Sequence, residues 1–302
     1  MKVFEGLNFQ YKFKNAVVTV GSYDGVHMAH KLILNRICNI AKQINGESVL
    51  VTFDPHPRQV LTPELPFGIL TSRRELISLL ENIGIDVLII IPFTIDFSNM
   101  SSEEFVKDIL VEKINTKKIV VGYNHFFGHN REGNFEYLKN LGKELKFEVE
   151  EIPEQDIQNE SVSSSKIRQA INEGNIIKAN AYLDYEYSVS GLLCKSDEVF
   201  NAKGFCTWLL NVENENKLIP ANGLYFAHTF ISGKSLQTAA IVTCNNDLKK
   251  QIFILLNEKN SQIEGVFATL QFKHLVRSCH ENTNCNELNQ NIEALIFQAI
   301  ND

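Results

Sequence analysis

From Ala16 onward the chain alternates short, β-branched apolar runs with amphipathic stretches: AVVTVG, KLILNRICNIAKQI, SVLVTF, RRELISLLENIG, DVLIIIPF, EEFVKDILVEKI and KKIVVG. A strand with one face in water alternates apolar and polar residues. These runs are apolar throughout, as in a parallel sheet covered by helices on both faces. Successive strand–helix–strand units of this kind predict an α/β domain built on a Rossmann-like, doubly wound parallel sheet. Ligands of such sheets sit beyond the carboxyl ends of the strands. The loops after Val20, Phe53, Phe93 and Val121 are therefore expected to converge on one site.

Further along, the polar segment EQDIQNESVSSS leads into a helix starting near Ser164, and a second short helix ends near Tyr182. After Tyr187 the texture changes to short alternating runs, YSVSGLL, GFCTWLLNV, GLYFAHTFI, TAAIVTC, QIFILL and GVFATLQF. They predict a small antiparallel β-barrel, or a sandwich, with a C-terminal helix from Asn286 to Ala299. A chain of 302 residues accommodates two such units, expected at residues 1–186 and 187–302.

A formal charge of −7 and the lack of a Lys/Arg run give no general attraction to phosphate backbones. Nucleic acid is not expected as a partner. The opening MKVFEGLNFQYKFKNAVV lacks the apolar core of a secretion signal, and no apolar stretch is long enough to span a bilayer, so no membrane partner and a cytoplasmic location are expected. The cysteines, Cys38, Cys194, Cys206, Cys244, Cys279 and Cys285, lack CxxC or paired spacing, as expected where thiols stay reduced. Cys279, His280 and Cys285 lie close together, but no second Cys/His cluster completes a zinc site. The sequence leaves the oligomeric state open.

The chemistry concentrates where the first strand turns into the first helix: Gly21-Ser22-Tyr23-Asp24-Gly25-Val26-His27-Met28-Ala29-His30. Two imidazoles three residues apart share one face of the helix start, where free backbone N–H groups already favour phosphate. Both can donate to one triphosphate. Taken alone, the spacing also fits a turn with one capping and one surface histidine. Much later Ser163-Ser164-Ser165-Lys166-Ile167-Arg168 begins another helix with hydroxyls at its cap and a guanidinium on its first turn, a second anion-binding end. By itself it also fits an ordinary serine cap. Nucleotidyl transfer needs little more than donors that hold the phosphates in line and absorb charge growing on the α-phosphate.

Together GSYDGVHMAH and SSSKIR resemble the HxGH and ISSTxxR pair of the nucleotidylyltransferase superfamily, and more narrowly bacterial FAD synthases of the bifunctional riboflavin kinase/FMN adenylyltransferase type. Phe53-Asp54-Pro55-His56-Pro57-Arg58 resembles that family's FxPxP loop. Gly122-Tyr123-Asn124-His125-Phe126-Phe127-Gly128, with Arg131 and Gly133, resembles its Gx(D/N)FxFGxxRxG segment, and Leu70-Thr71 fits as well. The resemblance runs in order over residues 1 to about 190. It implies that His27, His30 and Arg168 are catalytic, and that ATP is bound by Gly21, Ser22, Tyr23, Asp24, Gly25, His27, His30, Ser163, Ser164 and Arg168. It implies that Pro55, Pro57, Arg58 and Asn124 hold FMN, and that Mg²⁺ accompanies ATP, with Asp24 helping to order that region. Where the family has Gly, this chain has Ala29, whose methyl group could weaken ATP binding.

Beyond Tyr187 the layout resembles the riboflavin kinase barrel of the same family, but its chemistry differs. The family's GFPTAN segment, whose Thr and Asn hold ATP-bound Mg²⁺, reads Gly204-Phe205-Cys206-Thr207-Trp208-Leu209 here. Leu209 offers no oxygen to a hard cation. The family's general base should fall near Lys250, Gln251 or Ile252, none of which is a carboxylate, and without a base the riboflavin hydroxyl is a poor nucleophile. The glycine-rich basic loop has become LLCKSDEVFNAK. The expectation is an FMN adenylyltransferase that makes FAD, with a kinase-like barrel that has lost activity. The alternatives are a slow or inert flavin- or nucleotide-binding paralogue, a fully bifunctional enzyme, and a transferase with another acceptor such as phosphopantetheine or glycerol phosphate. The DPHP and GYNHFFG loops oppose the last.

Overall fold

In the computed structural model all five residues of AVVTV are buried. Side chains along a strand alternate between faces, so each face of this strand meets its own apolar layer. The structure describes residues 1–123, 126–129, 132–153, 162–196, 200, 205–245, 247–257 and 263–279. The chain divides into two packing units, 1–67 with 73–162, and 68–72 with 163–302.

The first unit is a six-stranded parallel sheet in the order β1-β4-β3-β2-β5-β6. The strands are β1 (Lys2–Glu5), β2 (Ala16–Val20), β3 (Ser48–Asp54), β4 (Val87–Pro92), β5 (Thr116–Gly122) and β6 (Glu148–Ile152). Val17, Leu50, Leu88, Ile90 and Val120 pack with Ile33, Leu34 and Ile37 of α1 (Met28–Gln43) and Leu76 and Leu80 of α3 (Arg73–Ile83). Val18, Val49, Val51, Ile89 and Val121 pack on the other side with Phe105, Val106, Ile109 and Leu110, and with Leu138 and Leu141 of α6 (Phe135–Leu145). The sheet is therefore covered on both faces, as the uniformly apolar runs predict. Strand order reverses beside β2, whose neighbours are β3 and β5, and such switch points open a crevice at the carboxyl ends.

Between the expected elements lie α2 (Pro57–Leu61), α4 (Ile95–Ser98) and α5 (Ser102–Glu104). A capping box between Ser101 and Glu104 starts α5, which continues as a π-helical stretch Phe105–Lys113 in place of a regular amphipathic helix. The sequence reading contains neither β1, β6 nor α6.

The second unit holds α7 (Ser164–Asn172), α8 (Ile176–Leu183) and an antiparallel closed barrel in the order β10-β11-β8-β7-β12-β9. Its strands are β7 (Ser188–Lys195), β8 (Phe205–Val212), β9 (Gly223–Ile231), β10 (Lys234–Cys244), β11 (Lys250–Asn257) and β12 (Phe267–Ser278). All six runs read from the sequence are strands, and the choice between barrel and sandwich resolves to a barrel. Packing places α7 and α8 with the barrel: Asn180 Nδ2 donates to Phe272 O at 2.9 Å, and Asn180 Oδ1 accepts from the Tyr187 N–H. The packing division thus falls before Ser163, earlier than the functional boundary read at residue 186. The helix expected at 286–299 lies outside the described residues.

Candidate active site

The turn from β2 to α1 is short and conformationally unusual. Tyr23, Gly25 and Val26 all have positive φ, at +46°, +89° and +38°. For a β-branched residue such as Val26 this is a rare, strained backbone of the kind that surrounding structure must impose. The imposing contacts are present. The Gly21 N–H bonds to Val51 O at 3.1 Å, Thr52 Oγ1 donates to Ser22 O at 3.2 Å, and Val26 is fully buried. Tyr23 is buried as well, with its hydroxyl 2.7 Å from Thr19 Oγ1. Burial raises the Tyr23 phenol, so it stays protonated.

His27 caps α1: its Nδ1 accepts the His30 N–H at 3.4 Å. An accepting Nδ1 puts the neutral ring's proton on Nε2. The His30 ring stacks on it with centroids 3.7 Å apart and 17° between planes, and Tyr23 backs His30 at 4.7 Å. The two imidazoles share one face, as the spacing predicts. The capping half of that alternative holds too, and His30 is half-buried: its Nδ1 is sealed from water and, among the described residues, has no hydrogen-bond partner. Burial, reinforced by repulsion from His27, lowers the His30 imidazole well below its usual value. Asp24 is 6% exposed, and Gly25 is buried in the same turn.

A cavity of about 960 Å³ opens beside this turn, within the first unit. Gly21 and Ser22 line one part and His56, Pro57 and Arg58 another, while Phe53, Phe93, Phe97, Phe105, Phe126 and Phe127 supply aromatic wall. Its size is at the upper end for small-ligand sites, roughly 300–1,000 Å³. Phe97 anchors the wall, with its ring 5.8 Å from Phe53, 5.7 Å from Phe93 and 6.2 Å from Phe105. His56 caps α2 by accepting the Arg58 N–H at 3.1 Å, in a capping box with Gln59. His129 also lines the cavity, and its Nδ1 donates to Ser98 O at 3.2 Å. Gly128, at φ +75°, admits no side chain, because a Cβ there would lie 2.0 Å from Ser102 Oγ.

Two of the four expected flavin residues, Pro57 and Arg58, therefore lie in the same cavity as Gly21 and Ser22. Pro55 is exposed and does not line it, nor do His27 and His30. Asn124 lies outside the described residues. The loops after Val20, Phe53, Phe93 and Val121 all contribute to this lining, as the switch-point argument expects, whereas the aromatic character of the wall was not read from the sequence.

In the second unit, Ser163 caps α7 by accepting the Lys166 N–H at 3.3 Å, and Ser164 opens the helix. Arg168 donates from Nε to Gly68 O at 2.8 Å. That guanidinium is thus tied partly to backbone.

On β8, Thr207 and Leu209 share a face, being two residues apart. Leu209 packs on an apolar patch of Phe200, Leu224, Ala239, Ile241, Phe253 and Leu255, and the Phe200 N–H bonds to Thr207 Oγ1 at 3.4 Å. Trp208 points to the other face, 3% exposed, and its Nε1 has no hydrogen-bond partner among the described residues. Lys250 donates to Ile219 O at 2.9 Å and Pro220 O at 2.7 Å, and Ile252 is fully buried. Among the described residues no three His, Cys, Asp or Glu cluster as a metal site, and no helix is long and apolar enough to cross a membrane.

Comparison with known proteins gives two family matches, FAD synthetase over residues 10–166 and riboflavin kinase over residues 183–300. Three curated relatives are described as bifunctional riboflavin kinase/FMN adenylyltransferase. That of Listeria monocytogenes is 30% identical over 87% of this chain and 84% of its own length. That of Buchnera aphidicola from Schizaphis graminum is 32% identical over 74% and 72%. That of Escherichia coli K12 is 28% identical over 74% and 72%. A solved structure titled as a macrolide-efflux protein from Streptococcus pneumoniae superposes with a TM-score of 0.82 at 22% identity, over 100% of this chain and 99% of that one, and so shares the fold.

Proposed function

The chain belongs to the bacterial FAD synthase family, and from that premise we propose that its first unit transfers AMP from ATP to FMN, giving FAD and pyrophosphate, while the barrel has lost riboflavin kinase activity. One observation carries the first half: Gly21 and Ser22 of the histidine-bearing turn line the same aromatic cavity as Pro57 and Arg58. An isoalloxazine ring suits phenylalanine walls. A phosphate held by Arg58 would then face the turn.

In the reaction a phosphate oxygen of FMN attacks the α-phosphorus of ATP, and the bond to the β-phosphate oxygen breaks as pyrophosphate leaves. His27 donates from Nε2 to oxygens that gain charge, and His30 supports its ring by stacking. In the second unit, Ser163, Ser164 and Arg168 at the α7 start are phosphate binders by the resemblance of SSSKIR to the family motif. Asp24 is a carboxylate of the kind that holds Mg²⁺ together with substrate phosphates. That ion would neutralise the triphosphate. A thin protein ligand set fits a cation bound mainly through the nucleotide.

For the barrel, the support is chemical. Leu209 and Phe200 cover the face that also carries Thr207, and Lys250, Gln251 and Ile252 offer no base. The match to riboflavin kinase over residues 183–300 favours the bifunctional reading instead. Incubation with ATP, Mg²⁺ and either FMN or riboflavin, followed by chromatography, decides between them. FAD from FMN alone is expected. FMN formed from riboflavin restores the kinase, and absence of FAD from FMN rules out the transferase.

A further inference from the structure

His129 lines the acceptor cavity, yet the proposed transfer gives it no task. Its backbone is held from several sides, all within the first unit. The His129 N–H bonds to Met100 O at 3.2 Å, and His129 O accepts the Glu132 N–H at 3.2 Å. Beside it, Ser102 Oγ donates to Phe127 O at 3.1 Å, and Gly128 lies so close to Ser102 that no Cβ fits between them. The N–H groups of Phe127 and Gly133 each bond to the other's carbonyl at 3.0 Å, which closes the turn. A side chain on backbone fixed in this way loses little freedom when it meets a ligand.

The ring's own contact sets its tautomer. Ser98 O is a carbonyl and can only accept, so the Nδ1 that lies 3.2 Å from it carries a proton. In the neutral imidazole Nε2 is then an acceptor, the reverse of His27, whose Nδ1 accepts. Elsewhere on the lining, Arg58 can only donate, and His56, whose Nδ1 accepts the Arg58 N–H, has its proton on Nε2. His129 therefore offers an acceptor on a wall made largely of phenylalanine. Such a wall favours a flat ring, and the acceptor favours one that bears an N–H. The isoalloxazine ring has that group in its imide, N3–H between two carbonyls. Buried without a partner, that donor would cost more than a made bond returns.

We propose that His129 is a specificity-determining residue for the acceptor: its Nε2 accepts the N3–H of the isoalloxazine ring, so that the cavity selects a flavin with an unsubstituted imide. The proposal rests on the reading of this cavity as the FMN site.

The test is calorimetric titration of the full-length protein with FMN and with N3-methyl-FMN, whose imide has no hydrogen to give, in mildly alkaline buffer that keeps imidazole neutral. Wild type is expected to bind FMN about tenfold more tightly than the methylated flavin, the scale of one hydrogen bond at a desolvated site. His129→Asn keeps an amide donor for Ser98 O but removes the acceptor, so FMN should weaken about tenfold and the preference between the flavins shrink below about twofold. Equal affinity of wild type for the two flavins overturns the proposal. So does a preference that survives His129→Asn, even if both affinities fall together, since that pattern marks a merely structural residue. Should His129→Asn fail to fold, His129→Phe keeps the bulk of the ring without its nitrogens. The same loss of preference is expected there, and its persistence again overturns the proposal. Wild type that makes FAD while binding both flavins equally contradicts the imide contact alone. Wild type that binds neither flavin contradicts it and the cavity reading together.

Discussion

In the turn, the half-buried His30 ring stacks on His27. Its imidazole is lowered by burial and by His27, so the folded chain resists a proton that the unfolded chain accepts. Above the usual histidine value near 6.5 both states are neutral and this group adds no pH dependence. As pH falls below that value the unfolded state gains the proton first, and stability drops by up to about 1.4 kcal/mol per pH unit. Denaturant midpoints measured from pH 7.5 to 5.5 should therefore fall more steeply for wild type than for His30→Gln. Equal slopes would mean that the ring titrates normally. The HxxH spacing was legible as a shared face, but the stacking and the sealed Nδ1 were not, because they depend on Tyr23 folding back at positive φ onto Thr19.

At the scale of elements, α1 separates two roles of His27. As the cap it accepts the His30 N–H at Nδ1, and the proposed transfer assigns it a second role through Nε2. Asparagine caps helices well but lacks the imidazole. His27→Asn should hold its Tm near that of wild type while kcat for FAD formation falls about 100-fold, the scale of losing one transition-state donor. A large Tm loss with proportionate activity loss would make His27 purely structural. The strands of the sheet core were readable because burial on both faces leaves uninterrupted apolar runs. Edge strands β1 and β6 were not, since KVFE and EVEEI carry the charges that edges tolerate. The convergence of the loops after β2, β3, β4 and β5 was legible from the sheet, but the aromatic wall was not, since its phenylalanines come from separate segments that only the fold brings together.

Across the whole molecule, the sequence announced two units with different textures, a parallel sheet and a barrel, and both are present. It could not announce that Lys217 donates to Leu70 O, because the two are 147 residues apart. A buried lysine in a polar stretch carries no pattern of its own. On the proposed function the chain moves AMP, rather than a terminal phosphate, onto a flavin that already bears phosphate. Phosphorus NMR of the full-length protein with ATP, Mg²⁺ and FMN follows that chemistry directly. FAD and pyrophosphate signals should grow in equal amounts as ATP and FMN decline. ADP in place of pyrophosphate, or unchanged spectra, would contradict the account.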